Sequence, residues 1–378
     1  MRFIANATGN WYHVPAYARP MDTGNIIHRT LIIRFSSIGD IILSSLLLRV
    51  FHKRFPDTRI DYLVKSEYAD LVRFNPHVTG VIEFPARGGM RELSEIRRAI
   101  RKSNYDLIID IHDSIRSRYV SAGLRNVVRI HKRKLARFLL VKTKWNLYDW
   151  FGGSPSVAER YLEPVKHLGV RNDGNGLEMP IPAEGSSRVS QTVQDSGIAT
   201  GSFTIGVCPS AKHKNKMWPA ERFAEAAASL GSGNNAAIFL FGSGTEEKIR
   251  CAEIKARIEQ ITRRIPVLDF SGGMSLTETA AFMDHCSVVI TNDSGLMHLA
   301  AARKRKVVAI FGPTVQQLGF FPYGTRSIVV EDRSLTCRPC THIGLEYCPK
   351  GHFKCMNNID SLKVIEAAKQ LLNEAPEA

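Results

Sequence analysis

Two short polar turns place acidic side chains directly after apolar runs of the sequence. In the first, Asp40 ends a turn that follows the apolar run 30–35. In the second, Asp293, Ser294 and Gly295 follow another apolar run. A carboxylate so placed could remove the proton of a hydroxyl group, and backbone amides that open a helix could bind a phosphate. The alternative is that these side chains only cap the helices behind them.

A lysine-rich loop follows a third apolar run, residues 203–208. Lys212, Lys214 and Lys216 lie in this loop, just before Trp218. Ammonium groups spaced this closely could hold a diphosphate through charge-assisted hydrogen bonds. The alternative is an exposed basic loop without a ligand. Because the loop begins where a strand is predicted to end, the sequence favours the diphosphate.

Four of the seven cysteines cluster near the end of the chain. Four thiolates that include a C-x-x-C pair could hold a structural zinc ion in tetrahedral geometry. The spacings differ from those of a common zinc ribbon, and a reduced, partly buried loop or a redox-labile cluster is the alternative. The zinc ligands predicted on this basis are Cys337, Cys340, Cys348 and Cys355.

A dense basic run, residues 131–137, precedes the apolar residues 138–141. Cations beside an apolar patch suit an anionic lipid surface, although charge runs are usually solvated faces. His112 follows another predicted strand and could face the same cleft as Asp40, or lie in a solvated loop. We predict that an anionic acceptor or membrane surface is contacted by His112, Lys132, Arg133 and Lys134.

Repeated units of strand, turn and helix position these residues. Such units build parallel sheets with helices on both faces, and ligands bind at the carboxyl ends of the strands. We therefore predict an α/β fold with two doubly wound, Rossmann-like domains. The boundaries are an N-terminal extension at 1–27, a first domain at 28–180, a linker at 181–201, a second domain at 202–358 and a C-terminal helix at 359–378.

The positive charge of the chain is unevenly distributed. The 378 residues carry a formal charge of +15, and residues 1–200 hold 30 Lys and Arg against 19 Asp and Glu. The first half should therefore meet an anionic partner: nucleic acid, lipid headgroups or a phosphorylated sugar. The basic stretches lack the aromatic interleaving of single-strand binders, so a nucleic-acid-binding module is the less favoured class. Because no apolar run approaches the ~20 residues of a membrane span, we predict a cytoplasmic protein.

Two motifs resemble those of a known family. The stretch N-D-S-G-L-M-H-L-A-A-A, followed by V-V-A-I-F-G-P-T at 307–314, resembles the C-terminal signature of glycosyltransferase family nine, the ADP-heptose:lipopolysaccharide heptosyltransferases. The turn S-S-I-G-D at 36–40 resembles the family's S-x-G-D motif, whose carboxylate is the proposed catalytic base. The lysine loop resembles the phosphate-binding loop of the family, with Lys216 or Lys214 as the matching residue.

The resemblance implies a GT-B architecture in which the two domains face each other across a cleft. It also implies inverting transfer, without a metal or other cofactor in catalysis, from ADP-heptose to a lipopolysaccharide inner-core acceptor, by an enzyme peripheral at the inner membrane. A different donor sugar is the alternative. Asp40 would be the base, and Glu246 or Glu247 would meet the ribose. The predicted donor-binding residues are Ser210, Lys214, Lys216, Glu246, Glu247, Asp293, Ser294, Gly295, Leu296 and His298, and Ser37 and Gly39 are added to the acceptor side.

Overall fold

The computed structural model describes residues 27–151, 153–199, 201–233 and 235–374, together with the backbone of two short strands before them. These strands, β1 (Arg2–Ala5) and β2 (Trp11–Val14), pair in antiparallel fashion. The remainder of the predicted extension 1–27, up to residue 26, lies outside the described residues, as do residues 375–378 of the predicted C-terminal segment.

The first half of the chain forms a parallel sheet of five strands. They are β3 (Arg29–Ile33), β4 (Arg59–Lys65), β5 (Gly80–Phe84), β6 (Leu107–Asp110) and β7 (Val127–Arg129). Their order across the sheet is β5-β4-β3-β6-β7. The chain reverses its direction of travel between β3 and β6, and ligands of doubly wound sheets bind at such a switch point.

Helices cover this sheet and lead toward the second half. They are α1 (Ile38–Leu43), α2 (Ser45–Arg54), α3 (Asp70–Arg73), α4 (Met90–Lys102), α5 (Ile115–Ser121), α6 (Lys134–Thr143), α7 (Val157–Arg160) and α8 (Ala183–Asp195). The last of them lies within the predicted linker. Before it, the Arg49 side chain forms ion pairs of 2.9 Å with both Asp173 and Glu178, which fasten the connecting segment to α2.

The second half forms a parallel sheet of six strands. They are β8 (Phe203–Cys208), β9 (Ala236–Leu240), β10 (Val267–Asp269), β11 (Val288–Asn292), β12 (Val307–Phe311) and β13 (Ser327–Glu331). Their order is β10-β9-β8-β11-β12-β13, so the switch point lies between β8 and β11. Runs of Val, Ile, Ala and Phe in β9, β11 and β12 are fully buried, as expected for strands covered by helices on both faces.

The helices of the second half follow the same alternation. They are α9 (Ala220–Gly231), α10 (Gly244–Ile261), α11 (Leu276–Met283), α12 (Gly295–Ala302), α13 (Lys354–Asn357) and α14 (Ser361–Asn373). Two parallel sheets with alternating helices confirm the predicted α/β fold class. In the part of the chain that the structure describes, no helix combines the length and the apolar character that crossing a membrane requires.

The two halves share one apolar core. A continuous cluster of buried side chains runs from Ile32 in the first sheet to Phe311 in the second. Helix α1 packs against α12, and α8 packs against α11. The turns that follow β3 and β11 therefore face each other where the two halves meet.

Candidate active site

The amino-terminal ends of α1 and α12 touch through two glycines. A Cβ atom built on Gly39 would lie 2.6 Å from Cδ2 of His298, and one built on Gly295 would lie 2.8 Å from Cβ of Ile38. Both distances are shorter than real side chains tolerate, so glycine is what permits this approach. The contact joins the switch points of the two sheets. It brings the predicted base Asp40 toward the turn Asp293–Gly295, which carries predicted donor-binding residues and is called the donor turn below.

The Asp40 carboxylate is held by three side chains. Arg34 Nη2 lies 2.7 Å from Oδ1, the Tyr161 hydroxyl donates to Oδ1 at 3.0 Å, and the Ser37 hydroxyl donates to Oδ2 at 3.0 Å. Burial raises the pKa of Asp40, but the Arg34 charge and the hydrogen bonds from Ser37 and Tyr161 outweigh it, so the pKa lies below its ordinary value. Asp40 is therefore ionised at neutral pH, and it is a weak base in this state.

Two of these partners were not predicted from the sequence. Arg34 lies at the carboxyl end of β3, where its second amino group donates to the Ile111 carbonyl at 2.9 Å. A cation directly after a strand, in the same turn as an acid, is a signal that could have identified it. Tyr161 lies 121 positions beyond Asp40, and nothing in the sequence around it indicates the contact.

Basic groups surround the acceptor side of the Asp40 turn. His112 packs edge-on against Phe35, with ring centroids 5.6 Å apart. Burial lowers the pKa of His112 to about 3, and the nearby charges of Arg34 and Lys132 add to that effect. Burial and Arg34 also lower the pKa of the half-buried Lys132. Arg34 and Lys132 thus lie within electrostatic range of the neutral His112, and their positive charges suit an anionic acceptor.

The predicted basic run divides between different environments. Lys132 lies within electrostatic range of Arg34, as described above. Arg133 instead forms an ion pair with Glu163, with 2.7 Å between its amino group and the carboxylate. Lys134 is exposed as the first residue of α6. The three consecutive residues thus have different surroundings, and acceptor contacts by Lys132, Arg133 and Lys134 stay predictions.

Lys216 is the loop lysine that reaches the donor turn. Its Nζ lies 2.6 Å from Oδ2 of Asp293, and the Thr314 hydroxyl donates to the same oxygen at 2.6 Å. Lys214 instead lines a cavity of about 340 Å³ beside the cysteine segment, together with Glu346 and Tyr347. The sequence did not distinguish between the two lysines as phosphate ligands, whereas in the structure their surroundings differ.

Asn292 fixes the lysine loop to the strand that carries the donor turn. Its amide nitrogen donates to the Pro209 carbonyl at 2.6 Å, and its amide oxygen accepts from the Trp218 backbone at 3.1 Å. Arg250 donates to the carbonyls of both Pro209 and Trp218. Both ends of the loop are therefore held against β11. Neither Asn292 nor Arg250 was predicted to have this role.

Helix α12 begins at the donor turn with its first amides available. Ser294 is the N-cap residue, and its side chain makes no capping bond to the helix. His298, one turn later, is 3% exposed. Burial lowers the pKa of His298 to about 4, although Asp293 and Asp40 oppose the shift. Among the described residues no group accepts or donates a hydrogen bond at Nδ1 of His298 or at Oγ of Ser210. Buried polar atoms usually have a hydrogen-bond partner, so these two could accept one from a bound molecule.

Comparison with known proteins shows to which family this chain belongs. Residues 93–349 match the model of glycosyltransferase family 9 (heptosyltransferase). The chain belongs to this family. Lipooligosaccharide heptosyltransferase 2 of Campylobacter jejuni subsp. jejuni serotype O:6 (strain 81116 / NCTC 11828) is 31% identical over 336 residues, which cover 88% of this chain and 96% of the relative.

Two solved structures share the fold of the family 9 chain. The glycosyl transferase family 9 protein from Veillonella parvula DSM 2008 matches with a TM-score of 0.76 and 23% identity, covering 95% of this chain and 100% of that one. The E. coli ADP-heptose lps heptosyltransferase II matches with a TM-score of 0.68 and 23% identity, covering 91% and 98%. The predicted family and GT-B architecture are confirmed, and the chain is a glycosyltransferase.

The two predicted ribose contacts differ in exposure in this family 9 glycosyltransferase. Glu246 is exposed in the first turn of α10. Glu247 is half-buried, and its carboxylate accepts a hydrogen bond from the Ser243 backbone at 2.5 Å. Burial raises the pKa of Glu247, and the Ser243 bond opposes that shift. Leu296 packs partly buried against the shared core. Contacts of these three residues with a donor stay predictions.

The predicted zinc site does not assemble in the family 9 glycosyltransferase. In the described ranges, no group of three or more His, Cys, Asp or Glu side chains could hold a metal ion. The Cys337 sulfur lies 3.9 Å from Nε2 of His352. Burial raises the pKa of Cys340, and it raises the pKa of Cys355 to about 12. The reduced, partly buried loop fits Cys337, Cys340, Cys348 and Cys355 better.

Proposed function

We propose that this family 9 glycosyltransferase moves a heptose from ADP-heptose to a lipopolysaccharide inner-core acceptor, with inversion at the anomeric carbon. The observation that carries the proposal is the contact of α1 with α12, which brings Asp40 of one sheet toward Lys216 and Asp293 of the other. A base and a phosphate clamp on opposite sides of one cleft suit a displacement reaction. The names of the related heptosyltransferases supply the sugar and the lipopolysaccharide class of the acceptor, and the family resemblance supplies the inner core.

The acceptor lies on the Asp40 side in this proposal. Asp40 takes the proton of the acceptor hydroxyl as the oxygen forms a bond to the anomeric carbon. A weak base suffices, because the hydroxyl becomes acidic only as that bond forms. The basic surroundings of Arg34 and Lys132 attract the phosphate or carboxylate groups of the acceptor.

The donor diphosphate lies on the opposite side. The bond between the anomeric carbon and the diphosphate oxygen breaks, and ADP leaves with the additional negative charge. Lys216 and the amides at the start of α12 stabilise that charge. Asp293 keeps Lys216 in place until the diphosphate competes for the same ammonium group. In metal-dependent enzymes a divalent cation neutralises the charge of the leaving diphosphate. Lys216 and the amides of α12 would do so here, so we expect transfer without added metal.

The acceptor class also indicates a place of action. An inner-core acceptor is linked to lipid, so we expect a cytoplasmic enzyme that works peripherally at the inner membrane. The uneven positive charge of the first half suits that location. Nucleic acid has no part in the reaction that we propose.

Mass spectrometry of reaction products tests the proposal. The enzyme would be incubated with heptose-free truncated lipopolysaccharide and, in separate reactions, with ADP-heptose, ADP-glucose, UDP-glucose or GDP-mannose. We expect the acceptor to gain one heptosyl residue with ADP-heptose alone, in the presence of EDTA, and NMR of the product to show an inverted anomeric centre.

Other outcomes would revise separate parts of the proposal. Transfer of a different sugar would keep the reaction and replace the donor. Retention of the anomeric configuration would exclude a mechanism of direct displacement. Absence of transfer from every donor, with ADP still bound, would contradict the acceptor class. Asp40→Asn serves as the matched control that should bind the donor and turn over much more slowly.

A further inference from the structure

Helix α6 has apolar side chains on two sides. Ala136 and Leu140 are buried, and they form a small core with Tyr148 and Leu318. Leu135 and Phe138 are also apolar, yet they are 68% and 58% exposed. Residues three apart lie on one face of a helix, so these two form a second, outward apolar face. The sequence predicted 138–141 as the apolar patch, which is wrong for Leu140 because the helix turns it inward.

Two exposed tryptophans follow the last residue of the helix. Trp145 and Trp150 are 53% and 75% exposed, and their ring centroids lie 6.1 Å apart in an edge-to-face arrangement. Tryptophan is enriched where proteins meet the interface between water and lipid, because its ring is apolar and its N–H can still be hydrated. We refer to Leu135, Phe138, Trp145 and Trp150 as the α6 face.

Lysines border the α6 face. Lys134 and Lys142 are exposed, and each lies four residues from Phe138, one on either side. The sequence contains no Asp or Glu from Lys134 to Tyr148, and Asp149 is the first acid after the run. Apolar side chains bordered by lysines complement a surface that offers anionic headgroups above an apolar interior.

The α6 face is fixed to both halves of the molecule. The Lys144 ammonium group, at the end of α6, donates to the carbonyls of Cys337 at 3.0 Å and Pro339 at 2.5 Å. Leu140 on the inner side packs with Leu318, which also belongs to the second half. A surface anchored in this way would hold the cleft at a constant orientation to whatever it binds.

We propose that the α6 face inserts into the headgroup region of an anionic bilayer, with Lys134 and Lys142 paired to lipid phosphates. The inference deepens the proposed function by naming the surface that docks, and it rests on that function only for the biological membrane concerned. Binding to vesicles is measurable without any turnover, so the two proposals can fail separately.

Vesicle sedimentation tests the proposal with the full chain. We expect the protein to sediment with vesicles that contain phosphatidylglycerol and to remain in solution with pure phosphatidylcholine. The tryptophan emission should shift to shorter wavelength on binding; Trp218 is fully buried already and should contribute little to the shift. The Trp145→Ser/Trp150→Ser variant should bind at least about tenfold more weakly. Lys134→Gln and Lys142→Gln should each lower binding about fivefold, the factor for one cation at an anionic surface.

The matched control lies on α10. Ile249 and Ile261 are 66% and 55% exposed, and Ile249→Ser/Ile261→Ser removes similar apolar surface elsewhere. The proposal is overturned if this control loses as much binding as the tryptophan variant, if charge of the lipid makes no difference, or if the α6 face proves to join two copies in solution. Turnover on a delipidated, water-soluble acceptor should be normal in the tryptophan variant. Absence of turnover in the parent protein, with its vesicle binding intact, would count against the proposed function instead.

Discussion

The hydroxyl of Tyr161 donates a hydrogen bond of 3.0 Å to Oδ1 of Asp40. The same carboxylate oxygen lies 2.7 Å from the Arg34 guanidinium. Both partners stabilise the ionised carboxylate, and together they hold the pKa of Asp40 below its ordinary value against the opposing effect of burial. The interactions that orient the proposed base thus also make it less basic.

Tyr161→Phe should raise the pKa of Asp40, because it removes a donor that favours the charged form. We expect the decline of kcat/KM at low pH to begin at a higher pH in the variant than in the parent. A pH–rate series measures this. Tyr105→Phe, which removes a 2.6 Å hydrogen bond to Asp61 far from the cleft, is the control and should leave the profile unchanged. Coincident profiles for parent and Tyr161→Phe would show that the tyrosine does not position the base.

Asp40→Asn should reduce turnover by a factor of about 10²–10⁴, the usual share of general-base catalysis. The amide keeps the shape of the side chain, so binding of ADP should change little. Single-turnover kinetics and calorimetric titration of ADP measure the two quantities. Turnover close to that of the parent would remove Asp40 from the mechanism.

Lys216→Ala should weaken ADP binding by about 1.5–3 kcal/mol and lower turnover at least as strongly, because the ammonium group meets a diphosphate that gains charge in the transition state. Lys214→Ala is the matched control, since it removes the same charge two residues away. We expect that control to bind ADP nearly as the parent does. Equal effects of both variants in calorimetry would contradict the separation seen in the structure.

Gly39→Ala should lower turnover by roughly 10²-fold, the cost of a displacement near 1 Å at a reacting group. The new methyl group would lie 2.6 Å from the His298 ring, so α1 must move away from α12 and carry Asp40 with it. Gly185→Ala is the control, because no atom lies within 4 Å of its Cβ position. Initial rates of both variants settle the comparison, and normal turnover in Gly39→Ala would exclude a close approach of the two helices during the reaction.

His298→Gln should make the stability of the fold less dependent on pH. Burial lowers the pKa of His298 to about 4 from 6.5, so protonation favours the unfolded chain. The contribution of His298 is complete above pH 6.5 and is lost as pH falls toward 4, by up to about 3 kcal/mol. Urea titrations from pH 7.5 to 4 give the free energy of unfolding, with the exposed residue change His131→Gln as control. An equal pH dependence in parent and His298→Gln would show that folding does not lower the pKa of His298.

The strand ends and turns of the site could be predicted, because they depend on local patterns. An apolar run followed by Gly39 or Gly295 indicates a strand, a tight turn and a helix, and such turns collect at one edge of a parallel sheet. The partners of the proposed catalytic base depend on tertiary packing instead. Tyr161 reaches Asp40 only because α7 packs near α1.

Basic side chains that are neighbours in the sequence lie in different environments in the folded protein. Lys214 and Lys216 lie in one turn of 3₁₀-helix, and only the position of β11 brings Lys216 to Asp293. In the same way, Lys132, Arg133 and Lys134 are consecutive, yet one lies near the cleft, one forms an ion pair and one is exposed. Composition predicts the charge of such a run but not the direction of each side chain.

The amide of Asn292 holds both ends of the loop that carries Lys216. A loop tied at both ends samples few conformations before any ligand arrives, so little conformational entropy remains to be lost when a diphosphate binds. The conformational entropy of this loop is lost earlier, when the second sheet folds. The affinity of the clamp for a nucleotide is therefore coupled to the stability of this half, through a buried residue next in sequence to Asp293.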